Sequence, residues 1–190
     1  VRRLAPILLL GALGLWQAGS GAWLLAKAEL AQWLLERAWT RNLAGQTGVR
    51  PWPWADTWPV ARLRVPRLGL SVIVLHGDSG RSLAFGPGLA PGSARPGGSG
   101  TTLISAHRDT HFRWLEQAQI GDVIELETAS GLWRYVIESM EVLDTRDELL
   151  RDDPLGHALV LATCYPFHAL VPGGPLRYVV RAELGPRDGV

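Results

Sequence analysis

Hydrophobic and polar positions divide this chain into two unlike parts. Residues 4–26 form an uncharged, mostly apolar run, broken only by Gln17, Ser20 and a few glycines. Coiled as a helix it spans about 35 Å, enough to cross a bilayer. Arg2 and Arg3 precede it and Lys27 follows, so the basic flank places the N-terminus on the cytoplasmic side and everything after Lys27 outside. A cleaved signal peptide is the competing reading. The run exceeds a normal signal core, and 28–39 continues as helix-compatible sequence without a small-residue exit, so a retained anchor is expected. Over 40–59 the periodicity disappears and Arg50-Pro51-Trp52-Pro53-Trp54-Ala55-Asp56-Thr57-Trp58-Pro59 follows. Repeated proline blocks helix and central strand alike, predicting an extended tether whose tryptophans rest on the domain or the membrane surface.

From residue 61 the period changes. Short runs rich in Val, Ile, Leu, Tyr and Thr, bounded by Gly, Pro or Asp, predict strands over 61–65, 71–76, 101–106, 123–127, 132–138, 158–163 and 176–183. Seven or eight such strands without long intervening helices predict an all-β domain, a closed or nearly closed, antiparallel-dominated barrel or sandwich. Helix is expected to be minor, with one candidate over 110–117. Residues 86–100 hold six Gly and three Pro in fifteen positions, predicting a long surface loop with no regular element. The domain boundaries are thus 1–27 for the anchor, 28–60 for a helical and Trp/Pro-rich tether, and 61–190 for the β domain.

Composition narrows the function. Nineteen basic against eighteen acidic residues leave no electrostatic footprint for nucleic acid. The charge is unevenly spread, +3 over 1–60 from six basic and three acidic groups and −2 over 61–190 from thirteen and fifteen, and seven of nine Trp precede residue 60. A single cysteine, Cys164, excludes an intramolecular disulfide.

That cysteine stands where the apolar strand Leu159-Val160-Leu161-Ala162-Thr163 meets Tyr165-Pro166. Pro166 cannot continue a central ladder, so the thiol is presented at a strand end and not sealed in a core. A nucleophilic thiol needs a partner that favours thiolate and later protonates a leaving amine. His107 fits, at the equivalent end of Thr102-Leu103-Ile104-Ser105-Ala106 and ahead of the polar turn Arg108-Asp109-Thr110. A metal reading with His107, His111 and Cys164 lacks a fourth ligand at a recognisable spacing. His76, His157 and His168 are read as structural. Alternation along Leu176-Arg177-Tyr178-Val179-Val180-Arg181 puts Arg177 and Arg181 on one face, with Arg177 next to the end of the Cys164 strand if the two pair antiparallel. A guanidinium there can stabilise an oxyanion, although strand arginines are more often simply solvated.

Taken in order, Gly86-Pro87-Gly88, Pro96-Gly97-Gly98-Ser99-Gly100, Ser105-Ala106-His107-Arg108-Asp109-Thr110-His111-Phe112, Leu161-Ala162-Thr163-Cys164-Tyr165-Pro166-Phe167 and Arg177-Tyr178-Val179-Val180 resemble a sortase, most of all the variety from Gram-negative bacteria. The resemblance covers about residues 60–185 and the anchored architecture. It implies a sortase-like closed eight-stranded β-barrel with short helices behind an N-terminal transmembrane helix. It also implies Cys164 as nucleophile, His107 as general acid and base, Arg177 as the residue that positions substrate and stabilises the oxyanion, and Thr163 as a contributor to the oxyanion site. The implied substrate is a secreted protein with a C-terminal Leu-Pro-x-Thr-Gly-like sorting motif, passed through a thioester to an amine acceptor or to water by an enzyme in the cytoplasmic membrane with its catalytic domain outside. Ala106 departs from the glycine that many sortases carry before the histidine, which implies tighter backbone restriction there. No acidic cluster like the calcium site of some members stands out, so no cofactor or metal is expected. The rival readings are a papain-like hydrolase, for which only His168 follows the cysteine, and a non-catalytic anchored binding module with a structural Cys164.

Overall fold

The computed structural model describes residues 4–146, 153–169 and 173–185, with side chains from residue 9 onward. Arg2 and Arg3, Pro172 of the loop before the last strand, and residues 186–190 of the β domain lie outside the described residues.

Eight strands close into a barrel: β1 (Pro59–Val65), β2 (Leu70–His76), β3 (Gly88–Leu89), β4 (Gly100–Ser105), β5 (Val123–Thr128), β6 (Gly131–Asp144), β7 (His157–Cys164) and β8 (Leu176–Leu184). Their order around the barrel is β1-β2-β3-β4-β7-β8-β6-β5. Closure leaves no unpaired edge. The barrel is mixed, because β2 with β3 and β4 with β7 run parallel while the other six pairings are antiparallel. Alternate residues fill the interior: Leu63 and Val65, Ile104, Ile124 and Leu126, Tyr135 and Ile137, Leu159 and Leu161, Val180 and Ala182.

Three expectations are corrected. The glycine-rich stretch 86–100 holds a strand after all, since β3 bridges β2 and β4 through Leu75↔Gly88 and Leu89↔Ile104. Two residues carry no periodicity, so β3 exists only because both neighbours offer it ladder partners. A Cβ on Gly88 would collide with the Gly77 carbonyl, so glycine is required by close backbone approach. The rest of the stretch is tied down, with the Gly97 N–H donating to the buried Tyr135 hydroxyl at 2.7 Å. Next, β6 runs six residues past its expected end at 138, beyond a register shift between Ile137 and Ser139, because β8 pairs with its polar half as far as Asp144. Finally, the helix expected over 110–117 is a 3₁₀ turn over Arg113–Gln117.

The stretch 40–59 also differs from an extended tether, beginning with its first four residues, which are helical. Helix α1 runs unbroken over Leu4–Leu43 and is long and apolar enough to cross a membrane. Its last turns bury Ala31, Leu35, Ala38, Trp39 and Asn42, a spacing that keeps one face on the barrel. Leu35 and Trp39 pack on Ile73, Leu75 and Phe85. Asn42 Nδ2 donates to the Pro59 carbonyl at 2.7 Å, Gln32 Nε2 to the Phe85 carbonyl at 3.0 Å, and Arg62 pairs with Glu36. The Pro/Trp segment lies on the domain as well. Trp52 meets Phe85 edge-on, Trp58 stacks on His76, and the Thr57 hydroxyl donates to the His76 carbonyl, while Trp54 is 82% exposed. Prolines prevented regular structure there without preventing packing.

Candidate active site

The ends of three adjacent strands build the site. Along β7, Leu159, Leu161 and Thr163 point inward, so Val160, Ala162 and Cys164 face outward. β8 pairs antiparallel with β7 and sets Arg177 directly opposite Cys164 on that outer face. On the other flank β4 runs parallel to β7, with Ser105 opposite Ala162, and the Ala106 N–H donates to the Ala162 carbonyl at 3.3 Å. Among the described residues that bond is the last backbone link between the two, and the His107 carbonyl accepts instead from the Thr110 and Phe112 N–H groups of the following turn, so His107 emerges at the rim where β7 ends in Cys164. Arg177, second in β8, lies across the ladder on the other flank. The thiol is half-buried while His107 is exposed.

Below this row the outer face is apolar. Val160, Ala162 and Val179 are buried, with Leu103 and Leu143 packed against them. A cavity of about 440 Å³ continues over the same face, lined by Pro91, Ser93, Ala94, Leu103, Pro154 and Val160 among others. Ser99 and Thr101 also line it, so it is polar as well as apolar, and it lies toward the opposite end of β7 from Cys164.

Thr163 is buried, and its hydroxyl donates to the Ala106 carbonyl at 2.8 Å. Its hydrogen is therefore committed to fastening β7 to the backbone just before His107. Ala106 itself is buried in the barrel core, and among the described residues no non-glycine residue has positive φ. The departure from glycine thus brings no left-handed strain and adds a methyl to the core.

Arg177 donates from Nη1 to the carbonyls of Gly174 and Leu176 at 2.8 and 2.9 Å, which holds its planar head at the strand entrance. Arg181, on the same face further along, is engaged by Glu183 at 2.9 Å and Asp153 at 3.9 Å. The two arginines, which share one strand face, therefore differ in surroundings.

The other histidines have structural partners. His76 stacks on Trp58, His157 Nδ1 meets the Gly98 carbonyl at 2.8 Å, and His168 Nε2 meets Glu116 at 2.8 Å. His168 is thus directed to Glu116 in the 3₁₀ turn, against the role a papain-like base would need. Burial pushes the His111 imidazole below its ordinary pKa, opposed by a hydrogen bond to the Ala84 backbone and assisted by repulsion from His107. Among the described residues no group of three or more His, Cys, Asp or Glu side chains gathers in a way that would hold a metal ion.

Sequence reasoning passed over Arg108 and Asp109 as a polar turn. Arg108 is only 7% exposed. Its Nε and Nη2 donate to the two Asp109 carboxylate oxygens at 2.8 and 3.0 Å, Nη1 donates to the Pro166 carbonyl and Nη2 to the Ala169 carbonyl at 3.1 Å. The Arg108 guanidinium holds the Asp109 carboxyl below the usual range, with Arg113 and His107 adding to the effect. No local pattern marks such a residue, because its partners lie about sixty positions away.

Acyl transfer needs a nucleophile, a proton carrier and a group for developing oxyanion charge, and a cysteine, a histidine and an arginine stand at this one rim of the barrel. Residues 63–185 match the sortase domain model. The chain is 29% identical over 119 residues to Sortase D of Bacillus subtilis (strain 168), a match covering 62% of this chain and 60% of that protein's length. Among solved structures, a Clostridium perfringens Sortase D5 transpeptidase superposes with TM-score 0.60 at 25% identity, over 68% of this chain and 80% of that one. Sortase A from Corynebacterium diphtheriae superposes with TM-score 0.63 at 24% identity, over 83% and 85%, which speaks for the fold alone. With the matched segment spanning the barrel from β1 to β8 and including His107, Cys164 and Arg177, the chain belongs to the sortase family.

Proposed function

We propose that the protein is a membrane-anchored cysteine transpeptidase that cleaves a Leu-Pro-x-Thr-Gly-like motif near the C-terminus of a secreted protein and transfers the new acyl end to an amine. The observation that carries this reading is the row His107, Cys164, Arg177 on three adjacent strand ends above one apolar outer face. Cys164 gives its thiol proton to His107 and its Sγ attacks the scissile carbonyl, while Arg177 faces the oxygen that gains charge. Collapse of the tetrahedral species breaks the C–N bond, and His107 gives its proton to the departing amine. An incoming amine, deprotonated by His107, then displaces the thiolate from the thioester, and water can take its place. Thr163 supports this by fixing the turn that carries His107, its hydroxyl hydrogen being given to Ala106.

Helix α1 supplies the anchor. It runs antiparallel to β1, since Asn42 meets Pro59 and Glu36 meets Arg62. β1, β4 and β7 all run in one direction around the barrel, so their C-terminal ends, Cys164 included, lie on the side toward which the apolar half of α1 projects. That favours substrates held at the same membrane, with the catalytic domain outside the cytoplasm. The whole ordered motif set, from Gly86-Pro87-Gly88 to Arg177-Tyr178-Val179-Val180, is what supports a reading as the Gram-negative variety of sortase.

The test is intact-protein mass spectrometry of the full chain in detergent micelles mixed with a motif peptide. A peptide adduct on Cys164, removed by hydroxylamine and discharged faster by a small amine than by water, is expected. His107→Ala should suppress it and His111→Ala should leave much of it. Efficient cleavage without a trappable adduct, or cleavage by Cys164→Ala, overturns the reading. Chelator-sensitive activity depending equally on His107, His111 and Cys164 would favour a metal site instead.

A further inference from the structure

We infer that Arg108 is a positioning residue for the thiol, joining the turn that bears His107 to the chain that leaves Cys164. The inference rests on the transpeptidase reading above. Four features of the structure lead to it.

Arg108 directly follows His107, yet its head group reaches across to Pro166 and Ala169, two and five residues past Cys164. It is buried, and a buried guanidinium is retained only when its donors are met and its charge is compensated. Donors on Nε, Nη1 and Nη2 are engaged, and the counter-charge comes from the neighbouring residue Asp109, whose carboxylate stays at the surface with 68% of its side chain exposed. One planar fork therefore bridges two catalytic segments that are otherwise joined near the rim by the Thr163 to Ala106 hydrogen bond and the Ala106 to Ala162 pairing.

Around Cys164 the charged and titratable groups are Arg177 from β8 across the ladder, Arg108 in the turn after β4 with Asp109 bound to it and His107 just before it, and Tyr165 next in the chain. Arg108 feels the Cys164 sulfur electrostatically as well as Asp109, its principal partner. Arg108 is itself fixed by two backbone carbonyls and the Asp109 carboxylate, so the turn that follows β4 and the chain that leaves Cys164 are held as one piece. Phe167, packed between Tyr165 and Tyr178, shows the same segment secured from the barrel side. Cys164 thus sits on a piece of chain held at both edges, by aromatic packing toward the barrel mouth and by Arg108 toward His107.

The experiment separates position from charge, using the full chain in micelles and three variants, Arg108→Gln, Arg108→Lys and Asp109→Asn. Two readouts are taken: the rate of iodoacetamide alkylation of Cys164, the only cysteine, at one fixed pH, and the kcat and KM for cleavage of a motif peptide. Arg108→Gln should raise the alkylation rate, because the chain that carries the half-buried thiol is released, and lower kcat at least about ten-fold with KM little changed, because Val160, Ala162 and Val179 are untouched. Arg108→Lys should resemble Arg108→Gln in both readouts, since an ammonium keeps the charge and cannot bridge two carbonyls and a carboxylate. Asp109→Asn keeps the guanidinium and its carbonyl bonds and should fall between wild type and Arg108→Lys in kcat. A folded Arg108→Gln with wild-type alkylation rate and kcat overturns the inference while leaving the transpeptidase reading intact. If Arg108→Gln does not fold, an Arg108→Lys enzyme with wild-type kcat overturns it equally. Absence of any acyl adduct on the wild-type enzyme would instead sink the reading on which the inference rests, and the alkylation arm would still decide whether Arg108 positions the thiol.

Discussion

Replacing Trp39 by alanine tests whether α1 is part of the folded unit or a leash beside it. Trp39 is 1% exposed and packs with Leu35 on Ile73, Leu75 and Phe85. Removing a buried tryptophan ring from such a seat costs about 3–5 kcal/mol through lost transfer energy and the cavity left behind. One feature trims that figure. The Trp39 indole N–H finds no hydrogen-bond partner among the described residues, and an unpaired buried donor already costs the native state about 1–3 kcal/mol that alanine would relieve. The net expectation is a loss of about 2–3 kcal/mol for Trp39→Ala, or about 4–12 °C in Tm for a chain of this size. Trp39→Phe separates the two contributions, because it keeps most of the ring contact and removes the orphan donor, so it should unfold within about 1 kcal/mol of wild type. The assay is thermal and urea unfolding of the full chain in micelles followed by circular dichroism, with Ile73→Ala in a double-mutant cycle. Coupling of about 0.5–3 kcal/mol between Trp39 and Ile73 is expected for side chains in contact. If Trp39→Ala melts with wild type and shows no coupling to Ile73, the docked helix is wrong and α1 is a leash beside the barrel.

Three further outcomes are expected. Arg177→Lys should lose most peptide cleavage while Arg181→Lys loses little, since Arg181 is engaged by Glu183 and Asp153 away from the thiol; equal losses in folded variants would refute the distinction. Asp122 is buried and accepts hydrogen bonds from Arg67, whose side chain holds its carboxyl below the ordinary value, and from the Gln119 N–H at 2.9 Å. A depressed native pKa adds stability that is complete above the unfolded value near 3.9 and is lost as pH falls through the native one, so Asp122→Asn should lower Tm at pH 7 and converge with wild type in strong acid; a constant gap across that range would contradict it. Gly88→Ala should destabilise the barrel and loosen β3, because its methyl would run into the Gly77 backbone, whereas the open space around Gly80 should make Gly80→Ala mild; hydrogen exchange at Leu75 and Ile104 reads the difference.

Local chemistry in the chain was enough to determine the kinds of segment present. An uncharged run of bilayer length, β-branched runs closed by Gly, Pro and Asp, and a thiol ahead of Pro166 are all properties of neighbouring residues, and the corresponding strands lie within one or two residues of the expected positions apart from β6 and β3. His107 and Cys164 were legible for the same reason, as each ends a readable strand, and Arg177 begins one. Tertiary structure alone decided what required distant partners. β3 exists because β2 and β4 flank it, and the polar half of β6 is strand because β8 lies alongside. Parallel pairing of β4 with β7, which brings His107 to the rim where β7 ends in Cys164, joins segments more than fifty residues apart and leaves no trace in either one's pattern. The same holds for Trp39 beneath Phe85 and for Arg108, whose burial follows from carbonyls about sixty residues away. Period and propensity report the environment a residue makes with its neighbours, whereas burial of a charge or the pairing of two strand ends is settled only when the barrel closes.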